Sequence, residues 1–595
     1  LLASGSLDKQ MKLWDVQTGD EIVSLIALED SDWAAVTPRG QFDATAGAMQ
    51  LMHWVVGLEP IELAQLKERY YEPGLLQKLL GLNPEPLRDV PPFEDVKLYP
   101  EMEFRDAEPT DATVSLHLRN RGGGIGRVVF FINDKEVTAD ARALDFNSQA
   151  ETLDVELDLA DHPFLIPGQQ NIIEAKAYNA EGYLVSRGLR FMYDAPSRQA
   201  ARTDTSPHLW AIVVGISDYQ GDALDLQFAS KDAEDVANAL KIGAHRLFGT
   251  ERFHLTLLNT SREEGTLFPT RGNIIQAFEA ARQAKSTDIL VIYLAGHGIN
   301  YGGTDGDYYY PTVEARSGDL DDPAVRAQTT ISSQELTELI RQVPALKQVL
   351  ILDTCMAGRL VEKLTEQRSI PSSQVRALER MKDRMGLHVL AGAAADAFSY
   401  EASRYGQGIL TYSLLLGMRG AALREGEFID ISELFEFAAD QVPQLAKDVG
   451  GIQRPVVATP FGGSSFDIGR LTTEDKPRIP LATVRPLILR VSFQNEAPPF
   501  HDSLALTKLV NDALRNLSAR GKEAPLVFID ALEFPDAYAL AGRYRIEKER
   551  IIVTTYLLRQ QEAVGNFTVE GDPSELDHLT QAITRELERE ITLID

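Results

Sequence analysis

QVLILDTCMAG, residues 348–358, decides how this sequence is read. Its apolar run at 349–352 lacks the alternation of a half-exposed strand and stops at Asp353, Thr354 and Cys355, with Gly358 just behind. A short continuous apolar run that ends in turn-forming residues is the pattern of a strand buried on both faces. Three more runs share it: LWAIVVGI (209–216), VIYLAG (291–296) and LHVLAG (387–392). Helical periodicity separates them in KDAEDVANALKIG, TRGNIIQAFEAARQA and SSQELTELIRQV. Doubly buried strands alternating with helices predict an α/β domain, a mostly parallel sheet with helices on both faces. Functional side chains of such sheets collect beyond the carboxyl ends of the strands.

Two of those ends carry reactive groups. His297 follows VIYLAG directly, between Gly296 and Gly298, and Cys355 is the only cysteine of the chain. Each alone has a plain alternative, since free cysteines are often small buried packing residues. Together at one sheet edge they match what nucleophilic catalysis needs: an imidazole that takes the thiol proton and later protonates a leaving amine. A glycine beside each group admits a substrate backbone and frees N–H groups for an oxyanion. His297 lies 58 residues before Cys355, close to the spacing of about 50 in caspases.

The stretches AIVVGISDYQ, LDLQFASKDAEDVANAL, VIYLAGHG, YYYPTVEA, QVLILDTCMAG, HVLAGAAADAFSYE and GQGILTYSLLLGM, in this order within 207–470, resemble the caspase-like cysteine peptidases, in particular the metacaspase and bacterial branch. The resemblance implies a caspase-like peptidase domain over 207–470, with Cys355 as nucleophile and His297 as base and acid. It also implies an oxyanion hole from the N–H groups of Gly298 and Cys355, and no required cofactor. Metacaspases carry an Asp two residues before the nucleophile and a second acid from the first helix. Asp353 and Asp232 match these positions and imply a pocket for Arg or Lys at P1. Their simpler readings are a strand-end turn for Asp353 and a first-turn helix acid for Asp232. Asp319, Asp321 and Asp322 in SGDLDDP are candidates for the Ca²⁺ site of some metacaspases, or a solvated acidic turn.

The chain departs from the resemblance in two places. Met356-Ala357-Gly358 stands where many relatives have His-Ser-Gly, and Ala229 stands where a cysteine is usual. The charged stretch 359–386 offers Arg368, Arg376, Arg380, Lys382 and Arg384 as self-cleavage points if P1 is basic; its alternative is a solvated helical linker.

Around this domain the composition predicts three more. Within 1–92, LLASGSLDKQMKLWDVQTGDEIVSL resembles the end of a WD-repeat propeller blade through Ser4, Gly5, Ser6, Asp8, Trp14 and Asp15; a start without Met reads as a cut in a longer chain. A helical stretch over 60–82 and a Pro-rich linker over 82–92 follow. Alternating runs across 93–198 predict an immunoglobulin-like β-sandwich, and 478–595 a small α/β or α+β domain. A net charge of −29 disfavours nucleic acid and anionic lipid as partners. No run of about 18 apolar residues is available to span a bilayer, and one cysteine excludes an internal disulfide and suits a cytoplasmic setting. The expectation is a cytoplasmic, bacterial endopeptidase that takes a protein or peptide substrate with basic P1. Its propeller, sandwich and carboxyl-terminal domains would bind a protein partner or activator. The alternative is a catalytically silent caspase-like scaffold.

Overall fold

The computed structural model of the protein describes residues 1–28, 31–105, 112–197, 206–261, 267–356, 371–392, 404–448, 453–460, 463–518, 524–532, 537–547, 550–560 and 562–594. The apolar runs at the centre become β1 (Leu209–Gly215), β3 (Ile289–Tyr301), β5 (Lys347–Met356) and β6 (Leu387–Ala391). Two further strands join them, β2 (Phe253–Asn259) and β7 (Val456–Ala458), while β4 (Asp307–Pro311) pairs with the far end of β3. The sheet runs β2-β1-β3-β5-β6-β7, parallel except for the last strand, so it is mixed.

Alternation along each strand feeds two cores. Ala211 and Val213 of β1 pack towards α1 (Ala229–Leu247), α5 (Ile409–Leu416) and α6 (Ile431–Asp448). Ile212 and Val214 pack towards α2 (Arg271–Ala281), α3 (Ser333–Arg341) and α4 (Ser372–Met385). Burial on both faces is what removes the polar alternation from these strands.

The flanking parts are built differently. Residues 2–44 form five antiparallel strands in sequential order. The helix expected over 60–82 is not continuous: a strand occupies Glu59–Glu62, short helical turns reach Tyr70, and a new helix runs Leu75–Leu79. Pro73 and the left-handed Gly74 (φ +72°) make the break. The expected linker at 82–92 is docked instead, because Arg88 donates to Glu72 Oε2 (3.1 Å) and to the Tyr71 carbonyl (2.6 Å). Two antiparallel sheets over 101–194 share one core that includes Leu116, Leu118, Phe130, Ile132 and Ile173. At the carboxyl end, helices Leu506–Ser518 and Leu576–Ile594 cover one face of a six-stranded sheet. No helix among the described residues is long and apolar enough to cross a membrane.

The amino-terminal parts grip the central domain at α3 and α4. The hairpin Val128–Ile132 and Lys135–Thr138 turns through two left-handed residues, Asn133 and Asp134. Lys135 is thereby buried, and its Nζ donates to the carbonyls of Ile340 (3.1 Å), Ala345 (3.2 Å) and Val343 at the end of α3. Burial and the Arg341 charge push the lysine pKa down; three carbonyl acceptors, one for each N–H of an ammonium, oppose that. Next to it the buried Glu136 takes a two-pronged bond from Arg384 of α4, at 2.6 and 2.9 Å. Lys67 pairs with Glu379 (2.6 Å) and Asp383 on the same helix, and Ser372 Oγ donates to the Pro73 carbonyl (2.9 Å).

Lys135→Ala should therefore destabilise the central domain by about 3 kcal/mol, because three buried carbonyls lose their donors. Thermal unfolding followed by circular dichroism measures it. Lys135→Met, which keeps the volume, separates lost hydrogen bonds from lost packing; an unchanged first transition in both variants would count against the bonding.

Candidate active site

The β3–β5 ladder pairs Ala295 with Asp353, Gly296 with Thr354 and His297 with Cys355. His297 and Cys355 thus lie inside paired strands rather than in the loops expected after them, since the pairing continues through Gly298 and Met356. Adjacent strands lie about 4.8 Å apart, so the register makes these two residues direct neighbours. Position 353 continues the phase of Val349 and Ile351, and position 297 that of Tyr293 and Ala295, which line the core on the α1 side.

His297 is buried and doubly anchored. Its backbone N–H donates to Tyr219 Oη (3.0 Å), and its Nε2 lies 2.8 Å from the Leu224 carbonyl. A carbonyl can only accept, so Nε2 carries the hydrogen and Nδ1 is the basic nitrogen of the neutral ring. The glycines on either side are dictated by tyrosines. A Cβ at Gly296 (φ +148°) would sit 2.8 Å from Tyr219 Oη, and one at Gly298 would sit 2.7 Å from Tyr308 Cε2. Tyr310 Oη donates to the Ala295 carbonyl (2.9 Å) and Tyr308 Oη to Thr354 Oγ1 (3.1 Å), which fixes the strand ends around the histidine.

The structure also brings Asp232 and Asp353 together, from α1 and β5. Asp232 is 3% exposed, and Asp353 is partly exposed. Gly408 N donates to Asp232 Oδ2 (2.9 Å), and Thr411 donates to Asp353 Oδ2 through its N–H (3.2 Å) and its hydroxyl. A Cβ on Gly408 would stand 2.9 Å from the Oδ2 atom of each carboxylate. Only glycine fits between them.

The remaining Asp232 oxygen, Oδ1, is buried without a hydrogen-bond partner among the described residues. Burial, then the charge of Asp353, push the Asp232 pKa well above the ordinary carboxylate range. Burial also raises that of Asp353, against the opposing hydrogen bonds from Thr411. The site thus holds two acids side by side, one of them with an unsatisfied buried oxygen. Gly408, Thr411 and Tyr293, whose Oη lies 2.6 Å from Thr411 Oγ1, escaped the sequence reading. GQGILTYS gave no signal beyond its resemblance to the family.

Other expectations change. Asp322 Oδ1 caps the helix Pro323–Thr329, and Asp319 accepts from the Asp321 N–H (3.0 Å). Among the described residues no three Asp, Glu, His or Cys side chains gather into a group that could hold a metal. The stretch ahead of residue 386 is not a solvated linker where it is described. Arg376 and Lys382 are buried in α4, Arg384 is tied to Glu136, and Arg380 Nη2 stands 3.7 Å from Asp307. Cleavage at these positions requires α4 to unfold. Arg368, Ala357 and Gly358 lie outside the described residues, as does most of the HVLAGAAADAFSYE stretch.

No curated protein matches the chain. Among solved structures it is similar to protein XCC0632 from Xanthomonas campestris, family-model DUF330 (13% identity, 18% of this chain and 81% of that one, TM-score 0.14). It is also similar to BC0361, a polysaccharide deacetylase from Bacillus cereus (10% identity, 48% and 78%, TM-score 0.12). A third is the family 28 exopolygalacturonase of Yersinia enterocolitica (9% identity, 43% and 55%, TM-score 0.12). Likeness at these scores carries no argument. Residues 208–461 match the family model Peptidase_C14, caspase domain, which makes the centre of this multidomain chain similar to caspase-type cysteine peptidases.

Proposed function

We propose that the protein is a cysteine endopeptidase that cuts after Arg or Lys. The Cys355 thiol gives its proton to His297 Nδ1 and the sulfur attacks the scissile carbonyl carbon. The N–H groups of Gly298 and Cys355 receive the oxyanion. Collapse breaks the C–N bond as the imidazolium protonates the leaving amine. Water, deprotonated by the same ring, then hydrolyses the thioester and restores the thiol. Asp232 and Asp353 hold the cationic P1 side chain. A reducing cytoplasmic setting, which keeps the single thiol available, suits this chemistry. The amino-terminal parts act as regulatory or partner-binding modules, a role their contacts with α3 and α4 support.

The observation that carries the reading is the enclosed Asp232–Asp353 pair, two residues from the position where β5 brings Cys355 beside His297. A fluorogenic peptide series differing only at P1 tests it. Arg and Lys should exceed Asp in kcat/KM by about 10³-fold, the discrimination expected of a like-charge mismatch in an enclosed site. Activity with Asp alone would refute the acidic pocket. A complete lack of Cys355-dependent hydrolysis, with and without Ca²⁺, would replace the enzyme with a scaffold.

A further inference from the structure

We propose that Thr411 is a positioning residue for substrate selection, which with Tyr293 holds one oxygen of Asp353 so that the other faces a basic P1 side chain. The inference rests on the reading of Asp232 and Asp353 as the P1 pocket.

Thr411 and Tyr293 are both fully buried, so their hydroxyls depend on protein partners rather than water. The Thr411 hydroxyl is committed to Asp353 Oδ2, which makes Tyr293 Oη, 2.6 Å away, the donor to Thr411. Tyrosine, threonine and aspartate thus form a relay with a single direction, running from the centre of β3 across the start of α5 to the end of β5. The backbone joins it. Gly408 is the N-cap of α5 and Thr411 stands in its first turn, where N–H groups lack partners inside the helix. One of these N–H groups takes Asp232 and the other Asp353.

The start of one helix therefore pins the Oδ2 atom of both acids, and the Oδ1 atoms are the ones left over. Asp353 Oδ1 lies on the Gly392 side, 3.6 Å from where a Cβ on that glycine would stand. Among the described residues the titratable groups facing Asp353 are Asp232 from α1, with Lys231 and Asp235 behind it, and Tyr293 from β3.

Thr411→Val preserves shape and removes the relay. It takes one acceptor from the Tyr293 O–H and one donor from Asp353. The kcat/KM for an Arg substrate should fall about 10- to 100-fold, mainly through KM, as one charge-assisted bond to the pocket is lost. The ionised form of Asp353 loses support, so the acid limb of the kcat/KM profile should move to higher pH. Thr411→Ser, which restores the hydroxyl, should stay within about 3-fold of the parent with the limb unmoved, and alkylation of Cys355 by iodoacetamide should proceed at the parent rate in both variants.

A parent that prefers Arg beside a Thr411→Val variant with unchanged kcat/KM and pH limb overturns the inference and leaves the P1 reading intact. A parent without a basic preference overturns the P1 reading itself. If the valine variant does not fold, Tyr293→Phe removes a single oxygen from the relay and should still raise KM about 3- to 10-fold; an unchanged KM there refutes the relay.

Discussion

His297→Ala and Cys355→Ala should each lower peptide hydrolysis by about 10⁴-fold or more, without loss of folded structure. The two losses differ in kind. An ordinary thiol titrates near pH 8.5, so without an imidazole beside it only a few per cent of Cys355 is thiolate at neutral pH, and the leaving amine has no proton donor. Residual activity of His297→Ala should therefore climb as pH rises from 7 to 9. Cys355→Ala has no nucleophile to ionise, and its residual rate should stay flat. Initial rates with an Arg peptide across this range, on samples with matching circular dichroism, decide the matter. A His297→Ala variant that keeps more than about a tenth of the parent rate would remove the histidine from the mechanism.

The second large effect concerns the acid pair, where activity and stability should move in opposite directions. Asp232→Asn and Asp353→Asn each take one charge from an enclosed pocket, and kcat/KM for Arg should fall by about 10²-fold or more, the usual consequence of breaking a desolvated charge pair. Stability should rise. Both carboxyl groups have folded-state pKa values above those of the unfolded chain, through burial first and, for Asp232, the neighbouring Asp353 charge next. The folded protein thus holds its protons more tightly than the unfolded chain. The contribution is fully present below the unfolded carboxylate pKa near 3.8 and is lost as pH rises towards the folded values.

As pH rises the parent carries more of that cost, and an Asn variant carries less of it. Thermal midpoints should show the variants gaining on the parent from pH 4 to pH 8. By the same logic kcat/KM for Arg should increase with pH through the raised titration of the pair, because only the ionised pocket holds a cation. A benzamidine-type cation should stabilise the parent and neither variant. Variants less stable than the parent at pH 8 would contradict the reading of an uncompensated pair.

How far the sequence disclosed this arrangement depended on burial. Residues 291–296 and 348–353 announced their strands because both faces are apolar, and the register between them follows once the strands are parallel neighbours. β2 went unseen: FHLTLLN is an edge strand with a mixed pattern, and every residue in it but two keeps some exposure. β7 is three residues long and beyond any periodicity argument. The break at Pro73 and Gly74 was written in the residues themselves, yet the apolar spacing around it reads as one helix. Thr411 was hidden for a different reason. ILTYSLLL reads as a plain buried helix, and nothing local tells that its one threonine faces an aspartate 58 positions earlier. Lys135 was hidden by the opposite error, since a lysine beside a hairpin turn is expected in water and this one is buried beneath another domain's helix.

That lysine has an evolutionary consequence. Chains assembled from modules are often treated as beads that recombination can exchange, each folding by its own rules. Here the tip of one module supplies the donors for three carbonyls of the next, and its neighbour Glu136 answers an arginine there. A substituted module without a lysine at that tip would leave those carbonyls buried and unanswered. The hairpin and its socket must therefore be inherited as one unit, and residues 135, 136 and 384 should change together across lineages or not at all.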